Sequence, residues 1–151
     1  GLGERAKANP LSHNAVEKGL LGKKNKSGFY TYDESDKSTG VNPKMQSLLP
    51  SKAKSMDETT IQMRLILPMI NEAASILDEK IVADAAAVDL GLIFGIGFPP
   101  FRGGLLWYAD SEGLERIKIA IENFGEEVSA TRYQLSPYLI SLVENKKKFY
   151  E

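Results

Sequence analysis

The ten residues from Gly95 to Gly104 constrain the fold of this chain more than any other segment. They read G-I-G-F-P-P-F-R-G-G, which places four glycines and two consecutive prolines in one short stretch. Proline lacks an N–H donor and restricts the residue before it, so Pro99 and Pro100 force extended backbone, while the flanking glycines permit unusual backbone angles. We therefore predict a shaped loop here, joining two helices.

The sequence from position 57 onward has the spacing of amphipathic helices, and we predict one compact all-α domain of five helices. Ser55 and Glu58 have the spacing of a capping box at the start of the first helix. An apolar stripe follows at intervals of four and three: Ile61, Leu65, Met69, Ala73 and Ile76. Further apolar residues off this stripe indicate that the middle of the helix is covered on several sides. Pro68 predicts a kink, because its ring crowds the carbonyl of Arg64.

Four further helices are predicted from their end signals and apolar spacing. The first runs from Asp84 to Phe94 and stops at Gly95, and the second is a short helix from Leu105 to Ala109. The third is capped by Ser111 and ends at Gly125, with one apolar face formed by Leu114, Ile117, Ile121 and Phe124. The last helix starts at Ser136 and Pro137.

The first part of the chain is organised differently. We predict a helix from Pro10 to Lys18 with Asn9 as its N-cap, and a short hairpin-like segment near residues 28–32, where Phe29-Tyr30-Thr31-Tyr32 alternates like a strand. Residues 34–56 are mostly polar and are predicted as a linker with one docked helical turn. The expected organisation is therefore 1–33, a polar linker at 34–56, and a helical domain at 57–151.

Composition excludes several classes of function. The 19 basic and 20 acidic residues nearly cancel, which argues against nucleic-acid binding as the main function. The absence of cysteine excludes disulfides, thiolate catalysis and cysteine-ligated metals. The longest charge-free run, Leu90 to Phe101, is far shorter than the ~20 residues of a membrane span. No charged-then-apolar leader follows Gly1, so we do not expect a secreted protein.

The chain offers few residues for catalysis. Its single histidine, His13, lies on a predicted surface helix with no obvious partner, so we expect a solvated side chain and neither a Ser-His-Asp triad nor a histidine-based metal site. The glycines at Gly95 and Gly97 end a helix instead of linking a strand to one, and Pro99 and Pro100 lack the N–H groups that a pyrophosphate needs. We therefore expect no nucleotide cofactor site and no metal site in this chain.

Two polar clusters have alternative interpretations. Lys23, Lys24 and Lys26 precede Tyr30, and this pattern suits the phosphates and adenine of coenzyme A, although a solvated turn before a packed hairpin is favoured. Asn71 and Glu72 interrupt a mostly apolar helix. In one interpretation these two residues serve a functional site. In the other, which we favour, they satisfy backbone groups freed at Pro68 or cap a neighbouring loop.

Several of these motifs together resemble one enzyme family. The segment Gly95 to Gly104, Pro68 to Ala73 and the helix containing A-D-A-A-A-V-D are similar to the C-terminal helical region of the multifunctional fatty-acid β-oxidation α subunit. That family combines enoyl-CoA hydratase and 3-hydroxyacyl-CoA dehydrogenase. The segment Gly19 to Tyr32 resembles the end of the first helical repeat of the same proteins, and Lys147-Lys148-Phe149-Tyr150 resembles the end of the mitochondrial trifunctional α subunit.

The resemblance implies a helical fold of the 3-hydroxyacyl-CoA dehydrogenase C-terminal type. It implies that residues 1–33 are the tail of a first repeat and that residues 57–151 are a second repeat. In the family, the chain order is a hydratase domain, a Rossmann domain that binds NAD, and then the helical repeats. The partner is a thiolase β subunit. The implied location is the cytoplasm of a bacterium or the mitochondrion of a eukaryote.

The resemblance also bears on the site residues. Single-function relatives place an active-site Asn just before an Arg-Leu-Leu-x-Pro run, and Met63 stands at that position here. Because a thioether lacks the donor and acceptor of an amide, the implied role is structural and cleft-shaping, without catalytic residues in this chain. The expected structural motif consists of Pro68, Asn71, Glu72, Gly97, Phe98, Pro99, Pro100, Arg102, Gly103 and Gly104. A free-standing helical assembly module or an acyl-CoA-binding module remains the alternative.

Overall fold

The computed structural model describes residues 9–51 and 55–150 and divides the chain into two compact units, with the boundary between Ser55 and Met56. The first unit contains two helices and a two-stranded sheet. Its elements are α1 (Pro10–Glu17), a 3-10 turn (Lys23–Asn25), β1 (Tyr30–Tyr32), β2 (Ser38–Val41) and α2 (Pro43–Gln46).

Helix α1 begins as the sequence predicts. The side-chain oxygen of Asn9 accepts the N–H of Leu11 at 2.9 Å, and Pro10 occupies the first helical position, where a missing N–H costs nothing. The helix ends at Glu17, and the residue that follows Lys18 is a glycine with positive φ. The predicted helix is confirmed to within one residue.

The predicted hairpin-like segment is also present, and its second strand comes from the region predicted as a linker. β1 pairs with β2 in antiparallel register, with Tyr30 opposite Val41 and a register shift after Thr31. The one docked helical turn is α2, where Asn42 is the N-cap and Met45 packs with Ala15 and Leu20. Residues 34–51 therefore hold a strand and a helical turn that pack within the first unit.

The second unit consists of five helices, as predicted. They are α3 (Glu58–Asp78), α4 (Ala85–Ile96), α5 (Leu105–Glu112), α6 (Leu114–Glu127) and α7 (Pro137–Glu144), with a 3-10 turn at Pro100–Arg102 between α4 and α5. Helix α3 contacts α5, α6 and α7, and α4 contacts α5. The core lies among these helices and includes Leu67, Ile70, Leu105, Leu106, Ile117, Ile121 and Leu139.

The predicted buried stripe of α3 is wrong in its first half. Ile61 and Leu65 are exposed to 47% and 65%, whereas Leu67, Ile70 and Ala74 are buried. Because apolar residues occur on both sides of this helix, their spacing alone does not select the side on which α5, α6 and α7 pack. The N-cap also differs, since the carboxylate of Asp57 accepts the N–H of Thr60.

Two helices continue past the glycines that were expected to end them. Helix α4 runs through Gly95 to Ile96, and α6 runs through Gly125 to Glu127. A glycine inside a helix costs only ~1 kcal/mol relative to alanine, and packing of the surrounding helix is able to offset that cost. Ser111 lies inside α5, and Gly113 separates α5 from α6. The predicted face of α6 is confirmed, with Leu114, Ile117 and Ile121 buried.

Candidate functional site

The proline inside α3 leaves one carbonyl without its helical partner, and a tyrosine supplies the missing hydrogen bond. Pro68 has no N–H to donate to the carbonyl of Arg64, four residues earlier. The hydroxyl of Tyr133 donates to that carbonyl oxygen at 3.0 Å, and the Tyr133 ring stacks on Phe124 with centroids 5.5 Å apart. Pro68 thus creates a backbone acceptor that ties α3 to the segment before α7.

Asn71 caps a neighbouring loop, which agrees with the favoured interpretation. Its amide nitrogen donates to the carbonyl of Gln134 at 2.8 Å, and its side-chain oxygen accepts the N–H of Ser136 at 2.8 Å. Asn71 is buried, and Ser136 is the N-cap of α7. One amide from α3 therefore fixes the backbone on both sides of residue 135. Glu72, beside it, is half-buried.

The loop between α4 and α5 has the shaped backbone that its sequence indicates. Gly97 ends α4 with φ +72°, Phe98 is buried, and Pro100 to Arg102 form a single 3-10 turn. Gly103 and Gly104 follow with φ +80° and +122°. The chain therefore reverses tightly, and the first turn of α5 lies against α4.

A buried carboxylate on α4 accepts hydrogen bonds from the start of α5. Asp89 receives the N–H of Leu106 at 2.7 Å and the N–H of Trp107 at 3.1 Å, and its side chain is only 2% exposed. These are among the N–H groups that a helix start leaves without intrahelical partners. A Cβ atom at Gly104 would lie 2.2 Å from the Asp89 carboxyl carbon, so this contact requires glycine. A Cβ atom at Gly103 would meet the ring of Trp107 at 2.4 Å.

Tyr150, near the end of the chain, also contacts Asp89 and the first turn of α5. The hydroxyl of Tyr150 donates to Asp89 at 2.7 Å, and the Tyr150 ring packs edge-on against Trp107 with centroids 5.1 Å apart. The carboxylate of Asp110 accepts the N–H groups of Phe149 and Tyr150 at 3.0 and 2.9 Å. Burial, followed by the hydrogen bond to Asp89, raises the pKa of Tyr150 above its usual value.

An open cleft of about 590 Å³ lies between the first half of α3, the Phe98–Arg102 loop and the start of α6. Met63 and Ile66 line it from α3, together with Phe98 and Arg102 from the loop. The guanidinium of Arg102 lies 5.5 Å from the ring centroid of Tyr108. Burial, followed by the charge of Glu112, raises the pKa of the Tyr108 phenol. The cleft is therefore mainly apolar, with the charged side chains Arg102, Glu112 and Arg116 also in its lining.

The lysine and tyrosine candidates of the first unit are only partly brought together. Lys24 and Tyr30 line one open groove with Leu21 and Phe29. Lys26 instead forms an ion pair with Asp36 at 2.5 Å, and the hydrogen bond and charge of Lys26 lower the pKa of that carboxyl.

Lys23 lies 6.0 Å from the ring centroid of Tyr32. Two of the four candidates thus share a groove, and the other two lysines have partners of their own within the turn and hairpin.

The remaining sequence candidates contribute little chemistry. His13 is exposed and lies 3.4 Å from the Glu17 carboxylate one turn along α1, a partner that was not predicted. Over residues 9–51 and 55–150, no group of three or more histidine, aspartate and glutamate side chains has the arrangement of a metal site. Within the same ranges, no helix has the length and apolar character to cross a membrane.

Sequence reasoning missed the carboxylates and tyrosines whose hydrogen bonds connect distant segments of the second unit. Asp89 is the only charged residue between Ala85 and Phe101, and a lone charge in such an apolar stretch is a signal for a buried, hydrogen-bonded group. Tyr133 and Asp110 gave no comparable signal. Their partners are backbone groups 69 and 39 or 40 positions away in the chain.

Comparison with solved structures defines the class of fold. The chain matches the crystal structure of the dehydrogenase part of multifunctional enzyme 1 from C. elegans, with a TM-score of 0.64 and 19% sequence identity. The match covers 89% of this chain and 33% of that one. The fold is thus all-α with a short hairpin, of the type found in the helical part of a dehydrogenase, as the sequence predicts. No protein-family profile matches the chain.

Curated relatives show which region of a known protein the chain is similar to in sequence. The chain is 42% identical over 153 residues to the fatty acid oxidation complex subunit alpha of Idiomarina loihiensis, and 35% identical over 154 residues to that of Vibrio campbellii. Each match covers 99% of this chain and 21% of the relative. The chain is therefore homologous to one region of the fatty acid oxidation complex subunit alpha, and it spans about a fifth of the length of these relatives.

Proposed function

We propose that this chain is the C-terminal helical region of a fatty-acid β-oxidation enzyme, in which it shapes and supports the substrate cleft without catalysing a reaction by itself. The observation that carries the proposal is Met63. It lines the open cleft at the position where the resembling single-function enzymes have an active-site Asn. A thioether does not supply the paired donor and acceptor of an amide.

The hydrogen bonds of three polar side chains in the second unit support a structural role. Asp89, Asp110 and Asn71 are each satisfied by backbone N–H or carbonyl groups of neighbouring segments, and each of these bonds fixes the course of the chain. A general acid or base needs a proton-transfer atom within reach of substrate, whereas both oxygens of Asp89 already accept donors of the protein itself.

The boundary of the two compact units, between Ser55 and Met56, supports a second repeat that begins near residue 57. We assign residues 1–33 to the tail of a first helical repeat and 57–151 to a second, complete repeat. Residues 34–56 are the proposed linker, and its strand β2 and helix α2 pack within the first unit.

The complete polypeptide would supply the chemistry that this chain lacks. In it, a hydratase domain would hydrate a trans-2-enoyl-CoA, and a Rossmann domain would hold NAD for oxidation of the 3-hydroxy group. We propose that NAD binds outside this chain, because the family resemblance assigns it to a Rossmann domain. A thiolase β subunit is the proposed partner, and the proposed location is the bacterial cytoplasm, or the mitochondrion in a eukaryote.

An activity assay tests the proposal directly. The 151-residue chain is mixed with NADH and acetoacetyl-CoA, and NADH oxidation is followed by absorbance, with the complete polypeptide as the positive control. We expect no turnover by the chain alone and clear turnover by the control. Robust turnover by the chain alone contradicts a purely structural role.

The groove around Lys24 and Tyr30 favours a second candidate function, an acyl-CoA-binding module. Its mainly apolar wall would take the acyl or adenine group and the lysine would take a phosphate. Calorimetric titration of the chain with an acyl-CoA tests this candidate, with Lys24→Glu as the variant and Lys44→Glu, on α2, as the matched control. Absence of heat up to high micromolar ligand removes it, and heat that only Lys24→Glu abolishes supports it.

A further inference from the structure

The open cleft beside the Phe98–Arg102 loop contains an arginine without an acidic partner. Among the described residues, the guanidinium of Arg102 takes part in no ion pair and no hydrogen bond. Its contacts are with two aromatic rings, whose centroids lie 5.9 Å away for Phe101 and 5.5 Å away for Tyr108. An aromatic ring offers no oxygen or nitrogen acceptor to the five N–H groups of a guanidinium. Arg102 is exposed, so its donors are accessible to a ligand in the cleft.

The other two charged side chains of the cleft lie close to each other. A guanidinium nitrogen of Arg116 is 3.8 Å from a carboxylate oxygen of Glu112. The charge of Arg102 is therefore the one that no acid in the lining offsets. An uncompensated positive charge attracts an anion and repels a cation, so the ligand that suits this cleft carries a negative charge.

Tyr108 provides a second donor next to Arg102. Its side chain lines the same cleft, and within residues 9–51 and 55–150 its hydroxyl forms no hydrogen bond. Burial, followed by the charge of Glu112, raises the pKa of the phenol, so the hydroxyl keeps its proton at neutral pH. A carboxylate has two acceptor oxygens and matches two neighbouring donors of this kind.

The rest of the lining suits an alkyl chain. Met63 and Ile66 from α3 and Phe98 from the loop supply apolar surface, and the unbranched thioether of Met63 adapts to the shape of a flexible chain. The volume of about 590 Å³ lies within the range of small-molecule sites. Pro99, also in the lining, has no N–H to offer to the several acceptor oxygens of a phosphate. The cleft therefore fits a carboxylate better than a phosphate ester.

We propose that this cleft is a binding site for an alkyl carboxylate. The carboxylate binds Arg102 and Tyr108, and the alkyl chain lies along Met63 and its apolar neighbours. The ligand is bound and does not react, which agrees with the proposed absence of catalytic residues. The site goes beyond the proposed function, because the group recognised is a free carboxylate and not an acyl thioester.

Methyl NMR at Met63 tests the site directly. Of the four methionines in the chain, Met63 is the one in the lining of the cleft, and Met45 in the core of the first unit is the internal control. The 151-residue chain and the complete polypeptide, each with isotope-labelled methionine methyl groups, are titrated with octanoate. Octanol, which has the same number of carbons and no charge, is the matched ligand, and Met63→Leu assigns the signal.

Two arginine variants measure the contribution of the carboxylate contact. Arg102→Gln removes the charge from the cleft. Arg132→Gln is the matched control, because Arg132 is also exposed, has no ion pair among the described residues and lies outside the cleft lining. Tyr108→Phe, which removes only a hydroxyl, is a second variant of the site. Thermal unfolding followed by circular dichroism shows whether each variant is folded.

We expect octanoate to shift the Met63 signal in both proteins, to leave Met45 unchanged, and to bind at least about tenfold more tightly than octanol. Arg102→Gln should weaken octanoate binding to the level of octanol, and Tyr108→Phe should weaken it less. Neither variant should change octanol binding, and Arg132→Gln should leave both ligands unaffected.

Four results overturn the proposal: no octanoate shift at Met63, equal binding of octanoate and octanol, equal effects of Arg102→Gln and Arg132→Gln, or a Met63 shift that is absent from the complete polypeptide. Octanoyl-CoA separates a carboxylate from a phosphate. If octanoyl-CoA binds more tightly than octanoate and Arg102→Gln abolishes the difference, Arg102 binds a phosphate and the carboxylate site is refuted. The readout is binding at Met63, so the result does not depend on dehydrogenase activity of the complete polypeptide.

Discussion

The strongest prediction concerns removal of the Asp89 carboxylate. Asp89→Ala leaves three donors without their acceptor: the N–H groups of Leu106 and Trp107 and the hydroxyl of Tyr150. Leu106 is fully buried, so water does not replace the lost bond there without rearrangement. A buried donor without a partner costs about 1–3 kcal/mol, and loss of a helix-capping acceptor about 0.5–2 kcal/mol.

Together these two losses lower the free energy of unfolding by about 1.5–5 kcal/mol. For a unit of the size of Met56–Glu151, 1 kcal/mol shifts Tm by roughly 4–8 °C, so we expect Tm to fall by about 10 °C or more. The assay is thermal unfolding followed by circular dichroism at 222 nm, with urea unfolding to obtain the free energy. Because Asp89 and its three donors all belong to the second unit, the transition of that unit carries the change.

Asp84→Ala is the matched control. Asp84 also caps a helix start, accepting the N–H of Ala87 at 2.8 Å, but it is exposed and has one partner. We expect a loss of about 1 kcal/mol. Equal losses for Asp89→Ala and Asp84→Ala would refute the assignment of Asp89 as the group that holds α5 and the tail to α4.

Three further predictions follow from the same contacts. Gly104→Ala combines a φ of +122° with a contact 2.2 Å from Asp89, so it should lower the free energy of unfolding in urea by about 3 kcal/mol or more. The loss for Gly113→Ala, where only the positive φ is unfavourable, should be much smaller. Equal losses contradict the packing argument. Asn71→Ala leaves two backbone groups without partners and should lower the free energy of unfolding by about 2–4 kcal/mol. A loss below 1 kcal/mol contradicts this prediction. Because the pKa of Tyr150 is raised in the folded state, the free energy of unfolding should fall as pH rises above about 10, where the phenol of the unfolded chain ionises first. Urea unfolding at several pH values should show a smaller fall for Tyr150→Phe. The same pH profile for Tyr150→Phe and the unsubstituted chain contradicts the prediction.

Helix positions were accessible to sequence reasoning where a local signal defines them. Asn9 caps α1 with its side chain, and Pro10 and Pro137 occupy the first positions of α1 and α7, because capping and the missing proline N–H act within one turn of the chain. The prolines and glycines of the 95–104 loop are equally local. Local sequence signals did not predict which residues line the cleft. Only the family resemblance pointed to one of them, Met63.

Tertiary structure decided which side of each helix is buried and which polar groups have partners. Leu65 and Leu67 are both apolar residues of α3, and only the packing of α5, α6 and α7 makes one exposed and the other buried. The partners of Asp89 and Asn71 are up to 65 residues away in sequence. Spacing rules describe interactions within a few turns of the chain, whereas these hydrogen bonds depend on where the whole chain brings distant backbone groups together. The sequence by itself therefore determined the helices and the shaped loop, and the tertiary structure determined the bonds that hold loop, helices and tail together.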